Sequence, residues 1–372
     1  MRRPEMKIAR IETFTNEAVG FVRVTAETGD FGWGQVSTYN ADITSTILHR
    51  QVAPHAIGQD AFDILRLVTR ITELEHKFPG SYLRRALAGL DTALWDLQGR
   101  VSEQPVCVLI GGTPGPVRAY ASSMKRDIEP EREAKRLLEL RDSKGFDAFK
   151  IRIGSECGHD ADEWPGRSEK MIRTMDRAFG GQAALLADAN SCYSPARATE
   201  IGKALEDGGF CHFEEPCPYW EFEQTREVAD ALEIDVTGGE QECELQAWRR
   251  MIDGHVVDIV QPDICYTGGL SRTLEVAAMA GRKGLPCTPH CANLSMVTLF
   301  TMHLLRAIPN AGEYLEFSIE GEDYYPWQYG LFADDPYSID DGCAIVRDTP
   351  GWGVEINPAW LDKASYRLSQ DE

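Results

Sequence analysis

Residues 184–189 (ALLADA), 210–215 (FCHFEE) and 234–240 (IDVTGGE) decide the fold. Each is a short apolar run that closes on an acidic residue, and helical patterns such as Ala196–Asp207 lie between them. The same unit recurs in both directions. Val117–Ser122 and Ala148–Ile153 precede it, and Val256–Ile264, Leu285–His290 and Tyr314–Ser318 follow, with helical patterns at Glu131–Lys144 and Leu270–Lys283. Eight strand candidates alternating with helices over about 200 residues predict a closed parallel barrel.

The charged residues keep the same period. Asp188, Glu214, Glu240, Asp263, His290 and Glu316 follow one another at 26, 26, 23, 27 and 26 residues, each at or just past the C-terminal end of a strand candidate. Functional groups of such barrels gather at that end, so these six side chains are expected in one mouth.

Outside the barrel, KIARIETF (7–14), VGFVRVTA (19–26) and FGWGQV (31–36) read as strands. Ile43–Val52, Ala61–Glu75 and Ser81–Gln98 read as helices, the last with leucines at 83, 87, 90, 94 and 97. The Ile110-Gly-Gly-Thr-Pro-Gly-Pro run breaks the pattern and marks a domain boundary. We expect an α+β domain over 1–115, the barrel over 116–324, and a Gly/Pro-rich segment over 325–372 that returns to the first domain.

Charge narrows the partners. The 372 residues carry 59 Asp+Glu against 38 Lys+Arg, a formal net charge of −21. That balance repels a phosphate backbone, so no nucleic acid is expected. No window approaches the roughly 18 apolar residues of a membrane span, nor is there an apolar run of signal-peptide length. No membrane partner and a cytoplasmic location are therefore expected. The ten cysteines form no C-x-x-C pair and read as reduced thiols, and Cys287-Thr-Pro-His290-Cys291 lacks the second ligand pair of a zinc site.

Three carboxylates brought together by successive strands (Asp188, Glu214, Glu240) repel one another unless a cation lies between them. An all-oxygen set suits Mg²⁺ first and Mn²⁺ second. Asp263 beside His290 fixes the imidazole tautomer and suits a general acid/base. Lys150 and Arg152, two apart in FKIRIG, point the same way and offer two cations to a substrate carboxylate and its enolate. Together these groups suit removal of a proton from the carbon next to a carboxylate, with the developing charge stabilised electrostatically.

In order and at this spacing, several segments carry a resemblance. They are RRALAGLDTALWDLQGR (84–100), FKIRIG, LLADANSCYS, FEEP, VTGGE, QPDI, CTPH, YLEF and PGWGVEI (350–356). The sequence resembles the mandelate racemase subgroup of the enolase superfamily over nearly its whole length. The resemblance implies an α/β fold: a modified TIM barrel, (β/α)₇β, with an N-terminal α+β capping domain completed by the C-terminal tail. It implies Mg²⁺ on Asp188, Glu214 and Glu240, an Asp263–His290 dyad, Glu316 as a hydrogen-bond donor to the substrate carboxylate, and Asn190 touching substrate. Asp263 stands where the muconate-lactonising subgroup places a Lys. Arg152 stands where this subgroup usually has a second Lys that acts as a base, and a guanidinium is a clamp rather than a base.

The leading expectation is dehydration of a sugar acid, aldonate or aldarate, to a 2-keto-3-deoxy acid, with His290 as base and acid and Lys150 as an alternative base. Two other readings stay open. One is an isomerase on the same scaffold, either an epimerase or racemase of a hydroxy acid or a cycloisomerase of a sugar lactone. The other is a barrel that binds metal and ligand without turnover. Tyr39 and Asn40 in a cap loop and Trp220 after FEEP are candidate contacts to the distal end of a small-molecule carboxylate substrate. By analogy with barrels of this type, a homo-oligomer is expected.

Overall fold

The structure, a computed structural model, describes residues 5–371. Three strands open the chain: β1 (Ile8–Thr15), β2 (Gly20–Ala26) and β3 (Phe31–Val36). The barrel strands are β4 (Gly115–Ser122), β5 (Ala148–Arg152), β6 (Ala184–Asp188), β7 (Phe210–Glu214), β8 (Asp235–Gly238), β9 (Ile259–Val260) and β10 (Leu315–Ser318). The tail adds β11 (Cys343–Val346) and β12 (Ser365–Gln370).

The first sheet is antiparallel, in the order β12-β1-β2-β3, so the chain's last strand completes the domain begun by its first. Its inner face lies on the helix Ser81–Val101, whose leucines are all buried. The approach is close because Gly32 and Gly34 face the helix: a Cβ on either would strike the backbone of the turn Gly89–Leu97. The expected helix at Ile43–Val52 runs instead as Ala41–Ile47, a wider turn at Leu48–Val52, and Ala53–Ala56.

The second sheet closes into a parallel barrel, with β10 pairing β4 and each of β4 to β8 pairing the next strand in the chain. Two strands are shorter than expected. The sixth, expected over Val256–Ile264, is ladder-paired only at Ile259–Val260, and the seventh, expected over Leu285–His290, shrinks to bridges from Cys287 to Val260 and Ala311. Prolines at 262, 286 and 289 remove ladder donors there. Helices follow the first seven strands, the last being Met296–Leu305, but after β10 there is only the short turn Pro326–Gln328 before β11 returns to the start of β4. This is the (β/α)₇β barrel, with the α+β cap closed by the tail. No helix among the described residues is long and apolar enough to cross a membrane.

Candidate active site

Parallel strands ending at one rim set the site. Asp188 is the last residue of β6 and Glu214 the last of β7. Glu240 follows β8 after Gly239, whose φ of 104° only glycine adopts freely and where a Cβ would strike the Trp248 ring. One carboxylate oxygen from each of the three lies within 4.8 Å of the others, and all three residues are buried. Burial, and then repulsion among the carboxylates, raises the pKa of Glu240 to about 7 and also lifts that of Asp188, where Arg152 works against the rise. A buried, all-oxygen, mutually repelling set fits a hard divalent cation.

Lys150 and Arg152 enter from β5, on the same face as expected. Lys150 Nζ is fully buried, 2.8 Å from both oxygens of Glu214 and 2.7 Å from Glu316 Oε1. Burial alone would favour its neutral form, but Glu214 and Glu316 outweigh this and hold it well above the usual lysine range. Arg152 pairs with Asp188, donates to Ser123 O at 3.0 Å, and donates to Asn190 Oδ1 at 2.8 Å. Both groups on this side are therefore fixed cations.

His290 faces them from the seventh strand position. Its Nδ1 lies 2.8 Å from Asp263 Oδ2, which leaves Nε2 toward the cavity, 3.6 Å from Glu240. The other oxygen of Asp263 accepts the Cys265 and Tyr266 N–H groups, so the carboxylate is itself held by the helical turn Ile264–Thr267. Burial would depress the imidazole, but Glu240, Asp263 and Glu316 push it up to about 10.

Glu316, on the last barrel strand, stands beside Lys150. It accepts from Ser122 Oγ at 2.8 Å and from Cys291 N at 2.9 Å. Against the effect of burial, Lys150 and His290 bring its pKa down to about 2. It anchors Lys150, whose Nζ lies 2.7 Å from Oε1.

A cavity of about 510 Å³ opens above these groups, and Arg152, Asn190, Glu240 and His290 line it. Tyr39 reaches it from the cap, edge-on to Trp327 with ring centroids 5.9 Å apart. Asn40 and Trp220 do not line it. Asn40 stands before the helix Ala41–Ile47, and Trp220 is 57% exposed on an outer groove, where it backs Tyr219, which does face the cavity.

The cavity also gathers residues that the period in the sequence does not mark: Arg126, Glu215, Tyr266 and Gln241. Arg126 follows the end of the first barrel strand, a strand end that carries no acid and so falls outside the acidic series. Strain concentrates here too. Asn190 (φ 40°), Ser191 (φ 63°) and Glu215 (φ 42°) are left-handed non-glycine residues, each costing roughly 1–3 kcal/mol.

Residues 132–360 match the enolase C-terminal domain-like family profile, and residues 1–111 match the N-terminal domain of the mandelate racemase / muconate lactonizing enzyme family. The chain belongs to the enolase superfamily, in its mandelate racemase subgroup. Among similar solved structures, one from Roseobacter denitrificans, provisionally named a racemase, is 66% identical. It covers 98% of this chain and 100% of that one, with a TM-score of 0.97. A mandelate racemase/muconate lactonizing protein from Paracoccus denitrificans PD1222, complexed with magnesium, is 28% identical over 98% of each chain, with a TM-score of 0.89. Curated relatives include the arabinonate dehydratase of Saccharolobus solfataricus (26% identical, 93% of this chain and 91% of that protein). They also include the D-galactarolactone cycloisomerase of Agrobacterium fabrum (28%, 92% and 90%).

Proposed function

We propose that this protein is a hydro-lyase, a Mg²⁺-dependent dehydratase that converts a sugar acid into its 2-keto-3-deoxy acid. The observation that carries the reading is that one group at the mouth can exchange a proton. Lys150 and Arg152 are held as cations by Glu214, Glu316 and Asp188, whereas His290 presents a free Nε2 to the cavity. Racemisation needs an acid/base on each face of the substrate carbon, and elimination needs only one. The dehydratase names among the relatives support the same reaction class.

Asp188, Glu214 and Glu240 would hold the metal, with Mn²⁺ as a substitute; when bound, it supplies a Lewis acid against the charge that develops on the substrate carboxylate. Lys150 adds a fixed cation to the same region, oriented by Glu316 and Glu214. Arg152, tied to Ser123 O and Asn190, adds a second. Glu240 is the largest influence that raises the His290 imidazole, and a divalent cation on Glu240 would offset it; the neutral Nε2 then takes the α-proton while Asp263 retains the hydrogen bond at Nδ1. The imidazolium then returns that proton to the departing β-hydroxyl, which leaves as water, and the enol ketonises by taking a proton at C3. In this reading the barrel (116–324) carries the chemistry, while 1–115 and 325–372 cover the substrate. The chain assembles as a homo-oligomer, which light scattering tests.

Incubation with Mg²⁺ and pooled acid sugars in D₂O, followed by NMR, tests the reaction. A 2-keto-3-deoxy product is expected. Deuterium at C2 without loss of water overturns dehydration and favours racemisation. Ring opening confined to sugar lactones would favour the cycloisomerase reading, which the named relative and the same single acid/base support.

A further inference from the structure

Among the described residues, Arg126 is the cation lining the cavity that makes no ion pair with a carboxylate, although Asp188 and Glu156 act on it from farther off. Lys150, Arg152, Lys125 and Arg136 all make ion pairs, to Glu214 and Glu316, to Asp188, to Asp323 and to Glu320 respectively. Arg126 has two hydrogen bonds, from Nη2 to Asn190 Oδ1 at 2.6 Å and from Nε to Gly154 O at 3.3 Å, and no carboxylate lies within ion-pair distance of it among the described residues. The nearby Glu156 is exposed on the rim and does not close on it. The Arg126 guanidinium is half-buried in the cavity wall.

Its one strong partner is shared. Asn190 Oδ1 accepts from Arg126 and from Arg152 at once, so a single neutral oxygen stands between two guanidinium groups. Like charges drawn together around a neutral acceptor leave unmet demand for an anion, and Arg152 alone of the two has a carboxylate. Arg126 also sits one layer outward from the reacting end. Asn190 N donates to Asp188 Oδ1 at 2.8 Å, and Arg126 lies beyond that asparagine. Tyr324, whose hydroxyl donates to Met124 O at 3.3 Å, flanks the same wall, and Tyr39 and Tyr325 add hydroxyls suited to a polyol.

We propose that Arg126, braced by Asn190, receives a second carboxylate at the far end of the substrate, so that the sugar acid turned over is a dicarboxylate, an aldarate. A planar guanidinium matches a carboxylate with two parallel hydrogen bonds, a match that the terminal hydroxymethyl of an aldonate cannot offer. This rests on the acid-sugar reading above and narrows it.

The test compares a panel of five- and six-carbon aldarates with aldonates of the same length and configuration, in Mg²⁺. Calorimetry on the His290→Asn protein reads affinity without turnover, and keto-acid release by the wild type reads kcat/KM. We expect at least one aldarate to bind tenfold or more tighter than its aldonate. Arg126→Gln should collapse the aldarate-to-aldonate ratio about a hundredfold in kcat/KM, and Arg126→Lys should fall between, with thermal melts confirming that both variants fold. A ratio indifferent to Arg126→Gln, or no aldarate bound at all, overturns the proposal. The two readings separate cleanly. Aldonate dehydration with an indifferent ratio removes the clamp and keeps the dehydratase. Arg126-dependent aldarate binding without any keto product does the reverse.

Discussion

The barrel mouth and the seam between cap and barrel both bury carboxylates, and they treat them in opposite ways. At the seam, Asp96 on the helix Ser81–Val101 is fully buried, and each oxygen is used. It accepts from Trp33 N and Trp352 N at 2.7 Å each and from Arg100 Nε at 2.6 Å. One side chain thus ties a cap strand, the long helix and the returning tail. At the mouth, Asp188, Glu214 and Glu240 are turned toward one another, with Lys150 and Arg152 on one side of the group and His290 on the other. A carboxylate placed for stability is surrounded by donors, whereas carboxylates placed for function are left in mutual repulsion that a ligand relieves.

The largest expected effect breaks the mouth without weakening the fold. Glu240→Gln should lower kcat/KM by about 10³-fold or more, since a metal ligand serves several kcal/mol of transition-state stabilisation. Because burial and like charge already disfavour ionised Glu240, the metal-free variant should melt no lower than the wild type. Mg²⁺ should raise the melting temperature of the wild type through preferential binding to the folded state, and raise that of the variant much less. A melting temperature for metal-free Glu240→Gln well below the wild type would sink the distinction drawn here.

Asp96→Ala is the converse. Arg100 keeps Glu355 and Val354 O, but two backbone N–H groups are left unpartnered at a buried junction, which should cost about 2–4 kcal/mol, read by chemical denaturation. The protein that remains folded should keep its kcat/KM, because Asp96 touches nothing in the cavity. Equal losses of activity and stability would mean that the seam sets the geometry of the mouth.

The same contrast explains what could be read in advance. The barrel was legible because its units repeat, and the acids at 188, 214, 240, 263 and 316 with His290 carry that period through the chain. All six meet at one rim, as their spacing predicts. The weak sixth and seventh strands were overextended because apolar runs such as 256–264 look like strands even where prolines remove the ladder. Arg126 stayed hidden because the first strand end carries no acid and because its significance lies in a missing partner, which only packing reveals. Trp220 misled for the opposite reason: a large aromatic after FEEP suggests a wall, but its direction depends on the turn. The pairing of Glu316 with Lys150 was equally out of reach, since strands β5 and β10 are far apart in the chain and only packing brings the two side chains to 2.7 Å.

A smaller effect sharpens the seam through pH. His303 is fully buried, accepts the Cys107 N–H on Nδ1 at 3.0 Å, and is pushed down to about 3 by burial. Its folded pKa lies below the unfolded one, so the stability it contributes is complete above about pH 6.5 and drains away as pH falls toward 3. Over that window it should add up to about 1.4 kcal/mol of destabilisation per pH unit. His303→Gln, which keeps an acceptor but cannot take the proton, should show a shallower acid limb in denaturation. An unchanged limb would assign acid sensitivity to His49, which burial and Arg367 depress to about 4.

The smallest effect concerns Asp91, the seam carboxylate that most resembles those of the mouth. It is fully buried against Gly269, receives long bonds from Ser271 N at 3.3 and 3.4 Å with the Ser271 hydroxyl and Leu270 N–H close by, and is raised by burial to about 7 in spite of them. The sign is therefore opposite to that of His303. With the folded pKa above the unfolded one, its contribution is complete below about pH 4 and is lost as pH rises through 7. Asp91→Asn should raise stability by about 1–2 kcal/mol at pH 8 and change it little at pH 5. Destabilisation at both values would mean that Arg272 and the Ser271 N–H hold Asp91 ionised, as donors hold Asp96. The mouth would then be alone in keeping carboxylates without adequate partners.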